Sequence, residues 1–167
     1  MDYFVIGDIH GCYDSFVSLL EHWNPDKERL ILLGDLVDRE RKSYDVIRLA
    51  MQLKSEHNAV ILGGNHEELF LDWLDEPKDE GFYYDLGGRE TVDSFFEENL
   101  TFQYAPEKLA KLIKDGFPNE VSFIRNLPSY FETEDYIFVH AGIDGGLIGG
   151  ASLKSRDFTD IVKAFNS

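Results

Sequence analysis

Apolar residues in this chain fall into short runs that alternate with amphipathic stretches. Residues 3–7, 29–33 and 59–62 are apolar runs bounded by glycine, aspartate or asparagine, and they predict buried strands. Between the first two, Phe16, Val17, Leu19, Leu20 and Trp23 recur at helical spacing over 14–23, and Pro25 stops the pattern. Tyr44, Val46, Ile47, Leu49, Ala50 and Leu53 predict a second helix over 43–53, and a third is expected over 67–74. Strand and helix alternating three times imply an α/β fold with parallel strands and helical crossovers. In such sheets the active site lies beyond the carboxyl ends of the strands. Residues 75–90, with Pro77, Gly81, Gly87 and Gly88, predict an excursion. Helical stretches follow over 91–98, 106–114 and 119–125. Two strands, 130–132 and 136–139, are then joined by a tight acidic turn. The tail has four glycines between Gly145 and Gly150 and runs polar to Ser167.

Composition narrows the function classes. A chain of 167 residues reads as one domain, residues 1–167, and 43% hydrophobic content supports a packed core. Acidic residues outnumber basic ones 32 to 16, giving a net charge of −16. Such a surface repels nucleic acid and anionic membranes, but leaves room for a local basic pocket. Cys12 is the sole cysteine, so an internal disulfide and a cysteine-based zinc site are excluded. The first residues carry no basic, apolar leader, and no window holds 18 apolar residues. The expectation is a soluble, cytoplasmic protein.

The strand ends hold the unusual polar residues. Asp8 and His10 follow the first run, Asp35, Asp38 and Arg39 the second, Asn65 and His66 the third, and His140 the last. Carboxylate, imidazole and amide oxygen suit Mn²⁺, Fe or Zn. Asp35, on the middle of the first three motifs, is the natural carboxylate to share between two ions. A metal pair a few ångströms apart activates water and clamps a phosphoryl oxygen.

Gly7-Asp8-Ile9-His10-Gly11, Gly34-Asp35-Leu36-Val37-Asp38-Arg39, Gly64-Asn65-His66-Glu67 and His140-Ala141-Gly142 resemble the phosphoprotein phosphatase (PPP) family of calcineurin-like metallophosphoesterases. The compact bacterial and bacteriophage Ser/Thr protein phosphatases look most similar, and symmetrical diadenosine tetraphosphatases share the motifs. The resemblance spans 3–142. It implies a β-sandwich flanked by helices and two divalent ions, Mn²⁺ first among them. It places Asp8, His10 and Asp35 on one ion and Asp35, Asn65 and His140 on the other. His66 is then the general acid, Asp38 orients it, and Arg39 and Asn65 contact phosphate. A hydroxide between the metals attacks phosphorus in line, with no phosphoenzyme.

Several positions depart from that pattern. Glu40 stands where the family has glycine, with strain in the turn as the expected consequence. Gly63 stands where many members have a phosphate-binding arginine. Arg156 and Lys163 are the candidates for a further phosphate contact beyond His140. No histidine follows His140, and relatives continue for several tens of residues. The resemblance therefore implies a C-terminally truncated domain that lacks its last strands, with 143–167 as a divergent tail. The expected activity is hydrolysis of phosphate monoesters on a phosphorylated protein or small phosphoester. The alternatives are a symmetrical diadenosine tetraphosphatase and, from another class, an inactive remnant that binds phospho-ligands. His22, His57 and Cys12 read as bland packing residues, Glu67 as structural, and Phe82-Tyr83-Tyr84 as either groove lining or loop packing.

Overall fold

The second strand has to cover two surfaces at once, and this explains the consecutive apolar residues at its carboxyl end. In β2 (Glu28–Leu32), Leu30 and Leu32 point into the core beneath the helices, while Ile31 points to the opposite face. The computed structural model describes residues 2–78, 82–96 and 98–141. β2 is the central strand of a parallel sheet in the order β1-β2-β3, with β1 at Asp2–Ile6 and β3 at Val60–Ile61. Ile6 pairs with Leu32, and Leu32 with Ile61. The crossovers are α1 (Tyr13–Leu20) and α2 (Ser43–His57). α3 (Asn65–Asp75), α4 (Arg89–Ser94), α5 (Pro106–Gly116) and α6 (Pro118–Arg125) follow, with a π-helical turn at Tyr84–Gly88 before α4. A short 3-10 turn covers Leu100–Phe102.

The second sheet is an antiparallel hairpin of β4 (Tyr130–Glu132) and β5 (Ile137–Val139). Phe131 and Phe138 from the hairpin pack on Ile31, Val60 and Leu62. Two sheets thus lie face to face, and helices pack on the other side of the parallel one. This is the sandwich flanked by helices that the sequence implied. Among the described residues no helix is long and apolar enough to cross a membrane.

Several boundaries differ from expectation. α2 runs on to His57 because Asn58 takes a left-handed turn (φ 54°) and its N–H closes on the Leu53 carbonyl. α3 begins at Asn65 because the Glu67 side chain accepts the Gly64 N–H and caps the helix. The expected excursion folds inward after Phe82. Tyr83 and Tyr84 are buried and stack around Trp73, while Phe82 stays exposed. Cys12 does not pack as a small apolar group. It is exposed, because it precedes α1 and lies outside the stripe that buries Phe16. Glu40 does not carry the strain expected of it; the positive φ angles fall on Asp38 and Arg39. Gly142, Arg156, Lys163 and the expected tail 143–167 lie outside the described residues.

The hairpin holds His140 against the parallel sheet, so its aromatic anchor has a measurable role. Phe138→Ala removes part of that anchor at a cost of about 2 kcal/mol, below the range for a fully buried Phe. The expected outcome is a modest fall in urea stability with divalent-metal affinity weakened at least tenfold. An unchanged affinity would show that His140 is held in place without the hairpin packing.

Candidate metal centre

The ends of β1, β2 and β3 are stitched together by backbone. Ile9 and His10 both donate their N–H to the Asp35 carbonyl at 2.9 Å, and Gly11 donates to Leu36 at 2.9 Å. His10, Asp35, Asp38 and Arg39 all have φ between 47° and 71°. This left-handed region is disfavoured for residues with a Cβ, so surrounding structure must hold them there. Glu67 does much of the holding. Its carboxylate, 2% exposed, accepts N–H groups from Asp35 at 2.8 Å, Leu36 at 2.7 Å, Val37 at 3.3 Å and Gly64 at 2.8 Å. Burial pushes its pKa up to about 7, against the pull of those donors toward the ionised form. The two loops approach so closely that a Cβ on Gly64 would strike the Asp35 carboxylate.

Asp35 lies at the middle. Its Oδ2 is 3.6 Å from His10 Nε2 and its Oδ1 is 3.3 Å from His140 Nε2. Burial would raise its pKa, but the His140 side chain and the His66 N–H outweigh that and hold it below the usual carboxylate range. His10 Nδ1 is 2.8 Å from the Val37 carbonyl. A carbonyl only accepts, so Nδ1 carries the proton and Nε2 presents a lone pair. That Nε2 is buried without a hydrogen-bond partner, and the Asp8 Oδ2 stands 3.8 Å away. His140 has the same carbonyl support but a partnered Nε2. Its Nδ1 faces the Leu33 carbonyl at 3.1 Å, and its Nε2 faces Asn65 Oδ1 at 3.1 Å as well as Asp35. The His10 lone pair, the Asp8 and Asp35 carboxylates and the Asn65 amide oxygen converge and suit a cation, and the carbonyl on each Nδ1 is the usual outer support of a ligating histidine. The imidazole, carboxylate and amide donors therefore fit divalent metal ions.

Two groups of ligand atoms lie within 4.8 Å of one another: His10, Asp35 and His66, and Asp8, Asp35 and His140. Asp35 belongs to both. The sequence grouped Asp8 with His10, whereas the geometry also brings Asp8 to His140 and His66 to His10. The Val37 carbonyl turns the His10 ring toward His66, whose ring centroid is 4.6 Å away.

His66 has a separate support. Its Nδ1 donates to Asp38 Oδ2 at 2.8 Å, and this bond raises its pKa against the opposing effect of burial. Asp38 is fully buried, and its other oxygen accepts from Tyr83 Oη at 2.9 Å and Thr91 Oγ1 at 2.7 Å. Burial, then the neighbouring Asp38, pushes the Tyr83 phenol well above its ordinary pKa, so it stays a donor. Both Asp38 carboxylate oxygens thus have hydrogen-bond donors.

The structure brings Asp8, His10, Asp35, Asp38, Asn65, His66 and His140 into one centre. Arg39 follows Asp38 with its side chain exposed and its N–H on the Gly87 carbonyl at 3.2 Å. Gly63, where an arginine was expected, faces Leu127; a Cβ there would lie 3.4 Å from the Leu127 Cβ. Tyr83 and Thr91 were missed as site residues. The available signal was Gly87-Gly88, since a Cβ on Gly88 would collide with the Tyr83 ring.

The calcineurin-like phosphoesterase family model matches residues 1–164. The asymmetrical bis(5'-nucleosyl)-tetraphosphatase PrpE of Anoxybacillus flavithermus is 30% identical over 95% of this chain and 64% of its own length. The symmetrical bis(5'-nucleosyl)-tetraphosphatase of Haemophilus influenzae is 31% identical over 84% of this chain and 44% of its own. The chain thus spans roughly half to two thirds of these curated relatives. A solved Saccharomyces cerevisiae protein serine/threonine phosphatase matches 94% of this chain and 42% of its own with a TM-score of 0.55 at 21% identity, a likeness of fold.

Hydrogen bonds donated to the Asp38 and Asp35 carboxylates raise the pKa values of His66 and His140 above the ordinary imidazole value. The folded, metal-free chain therefore holds protons that the unfolded chain releases. The stability this lends is complete below about pH 6 and is lost as pH rises through the folded values. Metal-free melting temperatures should fall as pH rises above about 6, and His140→Gln should flatten that slope. A slope unchanged in the variant would contradict the Asp35–His140 pairing.

Proposed function

The chain belongs to the calcineurin-like phosphoesterase family, and from that premise we propose that it hydrolyses a phosphoanhydride bond of dinucleoside polyphosphates. The expectation placed first from sequence, a Ser/Thr protein phosphatase, gives way to its alternative. Both curated relatives above bear the name bis(5'-nucleosyl)-tetraphosphatase, and the protein phosphatase likeness is one of fold. The observation that carries the reading is the buried Asp35 shared by two ligand clusters beside the His66–Asp38 pair.

Divalent ions held by Asp8, His10, Asp35, Asn65 and His140 supply Lewis acidity and an activated water when bound. The protein's own groups do the rest. Arg39 offers a planar fork to phosphate oxygens. Water adds to phosphorus as the bridging P–O bond breaks, and the departing oxygen leaves on a nucleotide. His66, fixed through Nδ1 by Asp38, presents its other nitrogen as the proton donor to that oxygen. Tyr83 and Thr91 keep Asp38 turned toward His66.

The test compares diadenosine tetraphosphate, a phosphoseryl peptide and p-nitrophenyl phosphate with Mn²⁺ and the full chain. The expected result is kcat/KM for the dinucleotide at least tenfold above that for the peptide. His66→Asn should lower kcat for the peptide, whose alkoxide needs a proton, by roughly 10²-fold or more, and by less for p-nitrophenyl phosphate. A preference for the peptide would restore the protein phosphatase reading. Turnover of none of the three by a folded chain would overturn both.

A further inference from the structure

An acidic protein that leaves arginines unpaired marks where it meets an anion. Acidic residues outnumber basic ones two to one, and Lys42, Arg48, Lys111 and Arg125 all form ion pairs. Among the described residues four arginines have no carboxylate within ion-pair distance: Arg29, whose guanidinium stands 4.8 Å from the Phe131 ring centroid, and Arg39, Arg41 and Arg89. The last three are neighbours. The Arg39 N–H donates to the Gly87 carbonyl at 3.2 Å, and a Cβ on Gly87 would run into the Arg39 backbone. Only glycine permits the turn before α4 to close onto the segment after β2. Arg41 and Arg89, each two residues beyond that contact, line one cavity of about 450 Å³. That volume is in the range of small-molecule sites.

The cavity walls have the character of a nucleoside site. The Arg89 guanidinium stands 4.4 Å from the Tyr84 ring centroid and 5.0 Å from that of Phe102. Phe102 is nevertheless 77% exposed, so it keeps free ring surface on which a base can stack. Tyr44 and Asn99 line the same space. Asp45, Glu90, Asp93 and Glu98 are there too; Asp93 already accepts from Thr101, and together they repel a phosphate chain lying inside while the others accept hydrogen bonds from ribose hydroxyls or base amino groups. The electrostatics therefore sort the ligand. Its sugar and base enter the cavity, and its phosphates stay along the arginines.

We propose that this cavity binds the nucleoside end of a nucleoside polyphosphate, whose phosphates run past Arg41 and Arg39 toward the Asp35 centre. The inference rests on the dinucleoside polyphosphate reading above and gives it a recognition site. It also supplies cationic groups in place of the arginine absent at Gly63.

ATP and inorganic tripolyphosphate carry the same phosphate chain and differ in the nucleoside. Their binding to the full chain is measured by calorimetry without added metal, where metal-dependent turnover is avoided. ATP should bind about tenfold more tightly, the scale of one base stacked on an aromatic ring. Phe102→Ala and Arg89→Gln should each reduce that preference below threefold, with circular dichroism and melting temperature retained. Equal binding of the two ligands, or a preference that survives both substitutions, overturns the proposal. A preference lost in the variants together with no cleavage of diadenosine tetraphosphate upholds the cavity and defeats the proposed activity. Cleavage of the dinucleotide with no ATP preference does the reverse.

Discussion

One buried carboxylate sets the geometry on which the rest depends. Glu67 accepts backbone N–H groups from the loop after β2 and from Gly64 at the end of β3. Each of those amides is buried and would cost about 1–3 kcal/mol if left without an acceptor. Glu67 therefore caps α3 and ties two strand ends together with the same two oxygens. The left-handed backbone at Asp35 is tolerable because the loop cannot relax away from this clamp. With Asp35 fixed, its two carboxylate oxygens face different histidines, His10 on one side and His140 on the other.

The electrostatic consequence is a site assembled against its own repulsion. Asp8, Asp35, the Asn65 amide oxygen and the His10 lone pair converge, and a cation or added protons relieve them. The raised pKa of His140 is the proton-bearing answer, and a divalent ion is the other. The same logic runs outward. The Asp38 carboxylate is satisfied by Tyr83 and Thr91 and so remains available to His66. Arg39, Arg41 and Arg89 occupy a separate region around Gly87, where an anionic ligand can approach an otherwise acidic surface.

Much of this was legible in the order of residues. Parallel strands, crossovers and a site at their carboxyl ends follow from apolar runs that each stop at a polar cluster, and the described strands obey that pattern. Glu67 was readable as structural, but three of its four acceptor contacts were not, because they reach residues about thirty positions away; only the Gly64 cap is local. Asn65 and His66 were visible as site residues, whereas Tyr83 read as groove lining or loop packing and Thr91 as the start of a helix. The close packing of Gly88 on the Tyr83 ring is a tertiary contact that no local pattern announces. Cys12 shows the opposite error: a residue type that is usually buried sits exposed because a helix starts one position later.

The measurement that bears most directly on this account is Mn²⁺ titration of the chain and of Glu67→Gln, read by the paramagnetic resonance of free metal. Gln keeps the shape but loses one of the two acceptor oxygens, so the Asp35 loop is released while the helices remain. The expected result is two ions bound by the native chain and both sites weakened together, by about tenfold or more, in a variant that still gives the native circular dichroism spectrum. Two sites that keep their affinity, or one lost without the other, would contradict the claim that Glu67 organises a single centre around Asp35.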